Sequence, residues 1–213
     1  MAQPEPQPER PCPHTDPAEE RAAADGALAE RLLEDPGSAA ADVYERFSSD
    51  VNRWVWRLLG GDADHNDVVQ QVFVKVLRSA KRLRDPGRLS AWVHAITVNT
   101  VYGELRRRDV RRLFQRHYPS AAVHADLVPE VEARDMLVRA RTIVEKLPAR
   151  ERIVFMLHYV EGRTLAEIAE LCGYSHATAK RRLNDANRRV TALTNKLPGR
   201  ARQAGPRGDE GPP

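Results

Sequence analysis

Cysteine is nearly absent from this 213-residue chain, which holds Cys12 and Cys172 and no other. The two lie far apart and form neither a CxxC pair nor a His/Cys cluster, which argues against a disulfide scaffold or a zinc site and suits a reducing compartment. Long apolar runs are missing too. None approaches the roughly 20 residues that span a bilayer, and no basic stretch followed by an apolar one marks a secretory signal. The expectation is a soluble, cytoplasmic protein with no membrane insertion. No Ser/His/Asp set, metal-ligand cluster, glycine-rich phosphate loop or carboxylate pair stands out, so no catalytic residue, metal or cofactor is expected and the chain does not read as an enzyme. His65, His94, His117, His124, His158 and His176 are scattered and read as surface or packing residues. Strand-like alternation is also lacking.

What is present is helical period. Val43, Phe47, Val51, Trp54 and Leu58 recur at spacings of four and three, and Gly60-Gly61 closes that helix. A second stripe carries Val69, Val72, Phe73, Val76 and Leu77. After the Asp85-Pro86-Gly87 turn a third carries Leu89, Trp92, Val93, Ile96 and Thr100. Residues 26–114 therefore predict a bundle of three to four helices. Six prolines between Pro4 and Pro17, among scattered acids, predict a disordered tail over 1–25. Periodicity lapses again after Gln115, where Pro119 and Pro129 break any helix, so 115–134 reads as a flexible linker. It resumes with Leu137, Ala140, Val144 and Leu147, and then Ile153, Val154, Leu157 and Val160, to give a second helical domain over 135–197. A Gly/Pro/Arg-rich tail follows over 198–213. The fold class is all-α, in two pieces.

Within the second piece, Thr164-Leu165-Ala166-Glu167 has the form of a capping box. Gly173 can take the left-handed conformation that ends the helix, and Ser175 is a ready N-cap for the next. That next helix buries Ala179, Leu183, Ala186, Val190 and Leu193, while Ser175, His176, Thr178, Lys180, Arg181 and Arg182 occupy its other faces near the start. Two short helices joined by a glycine turn, the second basic near its N-terminus, are what docking in a DNA major groove requires. An ordinary helical hairpin with a solvated basic face has the same pattern, and continued basic charge through Arg188, Arg189 and Lys196 favours DNA.

The first bundle carries the larger charge asymmetry. Between Lys75 and His117 twelve lysines and arginines face three acids, a local excess of nine, against a formal charge of +4 for the whole chain. Such an edge suits phosphate binding that weakens steeply with salt, although arginines also favour a helix C-terminus through its dipole. Trp54, Trp56, Trp92 and Tyr102 lie in the same bundle; at helical spacing Trp54 and Trp92 read as core.

Two stretches together resemble a known family. The run Asp67-Val68-Val69-Gln70-Gln71-Val72-Phe73-Val74-Lys75, with Leu89 to Asn99 and Leu105-Arg106-Arg107-Arg108, is similar to region 2 of the sigma-70 family. Leu147-Pro148-Ala149-Arg150-Glu151-Arg152, Tyr159-Val160-Glu161-Gly162, Glu167-Ile168-Ala169 and Thr178 to Leu183 are similar to region 4. Only these two regions are recognised, the layout of the extracytoplasmic-function group. The resemblance implies a sigma factor that binds core RNA polymerase and directs promoter-specific initiation. Asp67, Gln70, Gln71 and Phe73 would meet the β′ clamp coiled coil. Arg88, Trp92, Asn99, Arg106, Arg107 and Arg108 would recognise and open the −10 element. Ser175, His176, Thr178, Lys180, Arg181 and Arg182 would read the −35 element with the domain on the β flap. An anti-sigma factor is the further partner implied.

The chain departs from the family pattern at Val98 and Gly103, where an arginine and an acid are usual around Asn99, and Glu104 points about 100° away from the latter. Ala179, Arg181, Asp185 and Asn187 are also unusual in the recognition helix. These bear on promoter choice. The alternative is a stand-alone helix-turn-helix regulator whose first bundle dimerises or senses a ligand.

Overall fold

Proline disfavours helix interiors but is tolerated in the first turn, where its missing N–H has no helical partner. In the computed structural model, which describes residues 17–60, 64–114 and 131–195, Pro17 opens the first helix in this way. Helix α1 spans Pro17–Glu34, so the expected disordered tail over 1–25 is corrected from Pro17 on. The physical reason is tertiary. Ala22, Ala23 and Ala24 are strong helix formers, Leu28, Ala29 and Leu32 are buried, and the buried Asp25 accepts two bonds from Arg46, at 2.7 and 3.1 Å.

Helices α2 (Ala40–Leu59), α3 (His65–Arg78) and α4 (Leu89–Phe114) complete the first bundle. The apolar stripe of α2 is buried as its spacing predicts, with Val43, Phe47, Val51 and Val55 sealed from solvent. Each such side chain contributes roughly 1.5–3 kcal/mol relative to exposure. Gly60 ends α2 at φ 91°, a backbone conformation that favours glycine, with the Arg141 guanidinium close beside it. Two single 3₁₀ turns, Ala80–Arg82 and Pro86–Arg88, connect α3 to α4. The Asp85 carboxylate accepts from the Gly87 amide at 2.9 Å and fixes the second. Along α4, Leu89, Val93 and Thr100 are buried as expected, whereas Trp92 and Ile96 are half-buried.

The second half comprises α5 (Val131–Glu145), α6 (Ala149–Tyr159), α7 (Leu165–Cys172) and α8 (His176–Asn195). Residues 131–134, read as linker, begin α5; residues 115–130 and the tail 198–213 lie outside the described residues. Helix α5 has the expected period, but the expected Leu137 and Ala140 are exposed and Ile143 is buried in their place. Leu147, just past the helix, is buried as expected. Val160, expected inside, is exposed at the end of α6. Among the described residues the elements are all helical, and none is long and apolar enough to cross a membrane. One continuous apolar cluster runs from Leu28 of α1 to Leu183 of α8, through both halves.

Candidate nucleic-acid interface

The helix-turn-helix is fixed by local chemistry. The Thr164 hydroxyl accepts from the Glu167 amide at 3.3 Å, and the Glu167 carboxylate accepts from the Thr164 amide at 2.8 Å, a complete capping box at the start of α7. Those amide and hydroxyl bonds from Thr164, with help from Arg163, hold the Glu167 carboxyl below its ordinary 4.5. At the other end Gly173 sits at φ 65°, ψ 36°, and the amides of Tyr174 and Gly173 reach back to the carbonyls of Ala169 and Glu170, at 2.8 and 3.2 Å. That pattern satisfies two orphan carbonyls and turns the chain into α8. Ser175 then accepts from the Thr178 amide at 3.2 Å, the expected N-cap.

The six residues picked from sequence on this element divide into two sets. Ser175 and Thr178 are engaged with each other in the cap, hydroxyl to hydroxyl at 2.9 Å. Arg182 is half-buried and lays its guanidinium 3.7 Å from the Tyr174 ring centroid, so it braces the turn. His176, Lys180 and Arg181 are exposed. Ala177, Lys180, Arg181, Asn184 and Arg188 line a shallow open groove along α8, the surface that can meet base edges. The unusual residues have partners: Asp185 pairs with Arg188, and Asn187 donates to the Tyr159 hydroxyl at 3.1 Å, tying α8 to the end of α6.

On the first bundle, the arginine run is folded around one acid. Glu104 is buried, and its carboxylate holds Arg107 at 3.1 Å, Arg108 at 3.2 Å and Arg111 at 2.7 Å. Arg108 also pairs with Asp64 at 3.0 Å and retains 17% side-chain exposure. Arg106 and Arg107 stand in solvent. Lys75 of α3 donates to the Thr100 hydroxyl at 3.1 Å, and burial, then the nearby charge of Arg107, pushes its amine below the ordinary lysine value. Trp92 packs half-buried against the core. Asn99 is exposed, donating to the Ala95 carbonyl at 2.9 Å and reaching the Leu171 carbonyl of α7 at 3.4 Å; Arg88 pairs with Glu170 of α7.

On α3, Asp67 and Gln70 are exposed and Gln71 half-buried, but Phe73 is buried with its ring 4.9 Å from that of Tyr44. The ring exposed on this face is therefore Tyr44, which the period-based reading passed over because it falls beside the apolar stripe of α2. Two further residues were not singled out as a pair. His94 and Glu161, both with side chains only 3% exposed, meet 3.1 Å apart between the two halves; nothing in the spacing of residues so distant in the chain signals that contact.

Family models match both halves, sigma-70 region 2 over residues 43–111 and sigma-70 region 4 over residues 137–190. The chain belongs to the sigma-70 family. Its layout, region 2 followed by region 4, is that of the extracytoplasmic-function group, and curated relatives carry that name. The ECF RNA polymerase sigma factor SigE of Mycolicibacterium smegmatis is 28% identical over 67% of this chain and 56% of its own length. The ECF RNA polymerase sigma factor SigL of Mycobacterium tuberculosis is 27% identical over 76% of this chain and 95% of its own length. Among solved structures, the sigma factor RpoE of Bartonella quintana, in complex with the anti-sigma factor NepR, superposes with a TM-score of 0.54 at 20% identity, over 73% of this chain and 98% of that one. CnrH, in complex with the cytosolic domain of CnrY, does so at 0.52 and 24% identity, over 81% and 97%. These two likenesses establish the fold. As a sigma factor, the chain acts in transcription initiation.

Proposed function

We propose that this sigma factor binds core RNA polymerase and selects promoters through two separate DNA contacts. Region 4 reads the −35 element with the exposed face of α8, where His176, Lys180 and Arg181 reach bases and phosphates while Ser175, Thr178 and Arg182 hold the helix in position. Region 2 recognises and opens the −10 element with α4 and the turn before it, through Arg88, Trp92, Asn99, Arg106 and Arg107, with Arg108 shaping the edge. The face of α3 carrying Asp67, Gln70 and Gln71, backed by Phe73, docks on the β′ clamp, and region 4 rests on the β flap. An anti-sigma factor is a further partner, as in the complex of the Bartonella relative. The reading gives the chain no catalytic chemistry and places its work in the cytoplasm with polymerase. The observation that carries it is the pairing, in one chain, of a capped helix-turn-helix presenting Lys180 and Arg181 with a cation-lined α4.

The test is in-vitro transcription from a promoter library with core polymerase. Start sites that depend on this chain, with duplex binding weak in the absence of core, are expected. Failure to co-purify with core and absence of any dependent start site would overturn the reading. Tight binding of the chain alone to palindromic duplexes would support a stand-alone regulator instead.

A further inference from the structure

Helix α4 carries one glycine in its interior, Gly103. Glycine in a helix interior is destabilising relative to alanine, so it needs a reason. Neither usual reason applies. Its φ is not positive, unlike those of Gly60, Gly162 and Gly173, and a Cβ added at 103 would meet nothing within 4 Å. The missing side chain leaves open space instead. That space lies one turn past Thr100 and one turn before Arg107, and residues at these spacings share one side of the helix. The chain departs from its family's pattern at this position, so the feature is particular to it.

Two cations border the space. Lys75 of α3 reaches across to Thr100 and donates to a hydroxyl, at 3.1 Å, rather than to a carboxylate. Arg107 keeps 58% of its side chain exposed and shares the buried Glu104 with Arg108 and Arg111. The two feel each other, since the Arg107 charge adds to burial in pushing the Lys75 amine down. With Asp64 on Arg108, two carboxylates face four cations here, and positive charge is left over. Like charges held close without enough acid to balance them repel, and an anion entering between them relieves that cost. The donors for it are in place. An ammonium that gives one N–H to Thr100 has two more, and a guanidinium that gives one to Glu104 has four. Phosphate oxygens accept from both kinds of group.

We propose that Lys75, Gly103 and Arg107 form a notch that grips a backbone phosphate of the nucleic-acid strand lying along α4, with glycine at 103 keeping the space between the two cations clear. The inference rests on the −10 assignment of α4. It extends the DNA-binding surface onto α3 and adds a contact that positions the strand without reading its bases.

The experiment uses the full chain. Anisotropy of a fluorescein-labelled, mixed-sequence single-stranded oligonucleotide gives its affinity over a series of KCl concentrations, starting at low salt. Gly103→Asp fills the notch with a carboxylate, and Gly103→Asn fills it to the same extent without charge. Gly26→Asp, at another helical glycine with nothing within 4 Å, matches the change in net charge. Gly103→Asp should bind more weakly than Gly26→Asp, and its slope of log affinity against log salt should be shallower by about 0.7, one phosphate on a single strand. Lys75→Gln should reduce the slope alike, and the two changes together should do little more than either alone. Gly103→Asn should retain more affinity than Gly103→Asp. In thermal melts Gly103→Asp should unfold no lower than wild type, because the new carboxylate meets Lys75 and Arg107 and a helix glycine is gone. Loss of affinity at unreduced stability separates a binding role from a structural one. Equal affinity and slope in Gly103→Asp and Gly26→Asp, a lower melting temperature in Gly103→Asp, or no binding by wild type at low salt would each overturn the proposal. So would displacement of the oligonucleotide by inorganic phosphate beyond that by chloride at equal ionic strength, if Gly103→Asp abolishes it, since the notch would then take the free anion. Polymerase-dependent transcription by wild type alongside any of these results would overturn the notch and leave the −10 assignment standing.

Discussion

Arg106 and Arg108 stand two residues apart on α4, yet the fold uses them differently. Arg106 is exposed, whereas Arg108 is inserted between Glu104 and Asp64. Arg108→Ala strips the buried Glu104 of one of three cations and should lower stability by about 1–2 kcal/mol in urea denaturation. Arg106→Ala should stay within about 0.5 kcal/mol of wild type. It should instead weaken holoenzyme binding and reduce the salt dependence by about one counterion. Equal stability losses would refute the division. The arginine run was plain in the sequence; which members are neutralised was not, because that depends on the burial of Glu104, an acid that reads locally as one more surface charge. Cys172 makes a similar point. Burial pushes its thiol up to about 12, so at pH 8 the nucleophilic thiolate should be roughly a thousandfold scarcer than for an ordinary cysteine of pKa near 9. In a Cys12→Ser background, iodoacetamide should label the native chain very slowly and the urea-unfolded chain fast. Rapid native labelling would show that the α7 end opens.

At the scale of the element, the helix-turn-helix was the most legible part, because its signals are short-range. Thr164, Glu167, Gly173 and Ser175 each act on backbone groups within a few residues, and all four do what their spacing predicts. Gly173→Ala should cost about 1–2 kcal/mol from the positive φ alone, since a Cβ there meets nothing within 4 Å. Gly173→Asn should recover part of that loss, and matching values for the two would point to a steric cause instead. The capping box also fixes a pH dependence. Hydrogen bonds from Thr164 depress the folded-state carboxyl of Glu167 below its ordinary 4.5. The resulting stability is therefore present above 4.5 and lost as pH falls through the lower folded value. The gap in urea midpoint between wild type and Glu167→Gln should narrow as pH is lowered from 7 to below 4.5; a constant gap would assign no role to the ionised carboxylate. Less legible were α1 and α5. Composition marked the first residues of α1 as disordered because the Asp25–Arg46 pair that anchors them joins positions 21 apart. For α5 the period was right, and Leu147 just past its end is buried as expected, but the neighbouring helices take Ile143 inward and leave Leu137 out.

For the whole molecule, the two helical halves were readable from period and its lapse, but their contact was not. It joins His94 to Glu161 and Arg88 to Glu170, pairs with no common motif. The contact has a thermodynamic consequence. Two domains unfold as one unit when the free energy of their interface exceeds the difference between their separate stabilities, and as two units otherwise. Here the apolar cluster is continuous from Leu28 to Leu183, with Ala149 and Ile153 of α6 in the same cluster as Leu59 and Leu105 of the first bundle. Wild type should therefore give one calorimetric transition, with van't Hoff and calorimetric enthalpies in agreement. Glu161→Lys places an ammonium against His94 in a site sealed from water, where a charge without a partner is strongly unfavourable. With the halves parted, each retains its own helices, although the Ala149 amide at the start of α6 loses its bond to Asp109. The variant should resolve into two transitions, and Thr164→Ala in that background should lower only the one belonging to region 4. A single transition persisting in Glu161→Lys would mean that the shared apolar cluster holds the halves together without the His94–Glu161 contact.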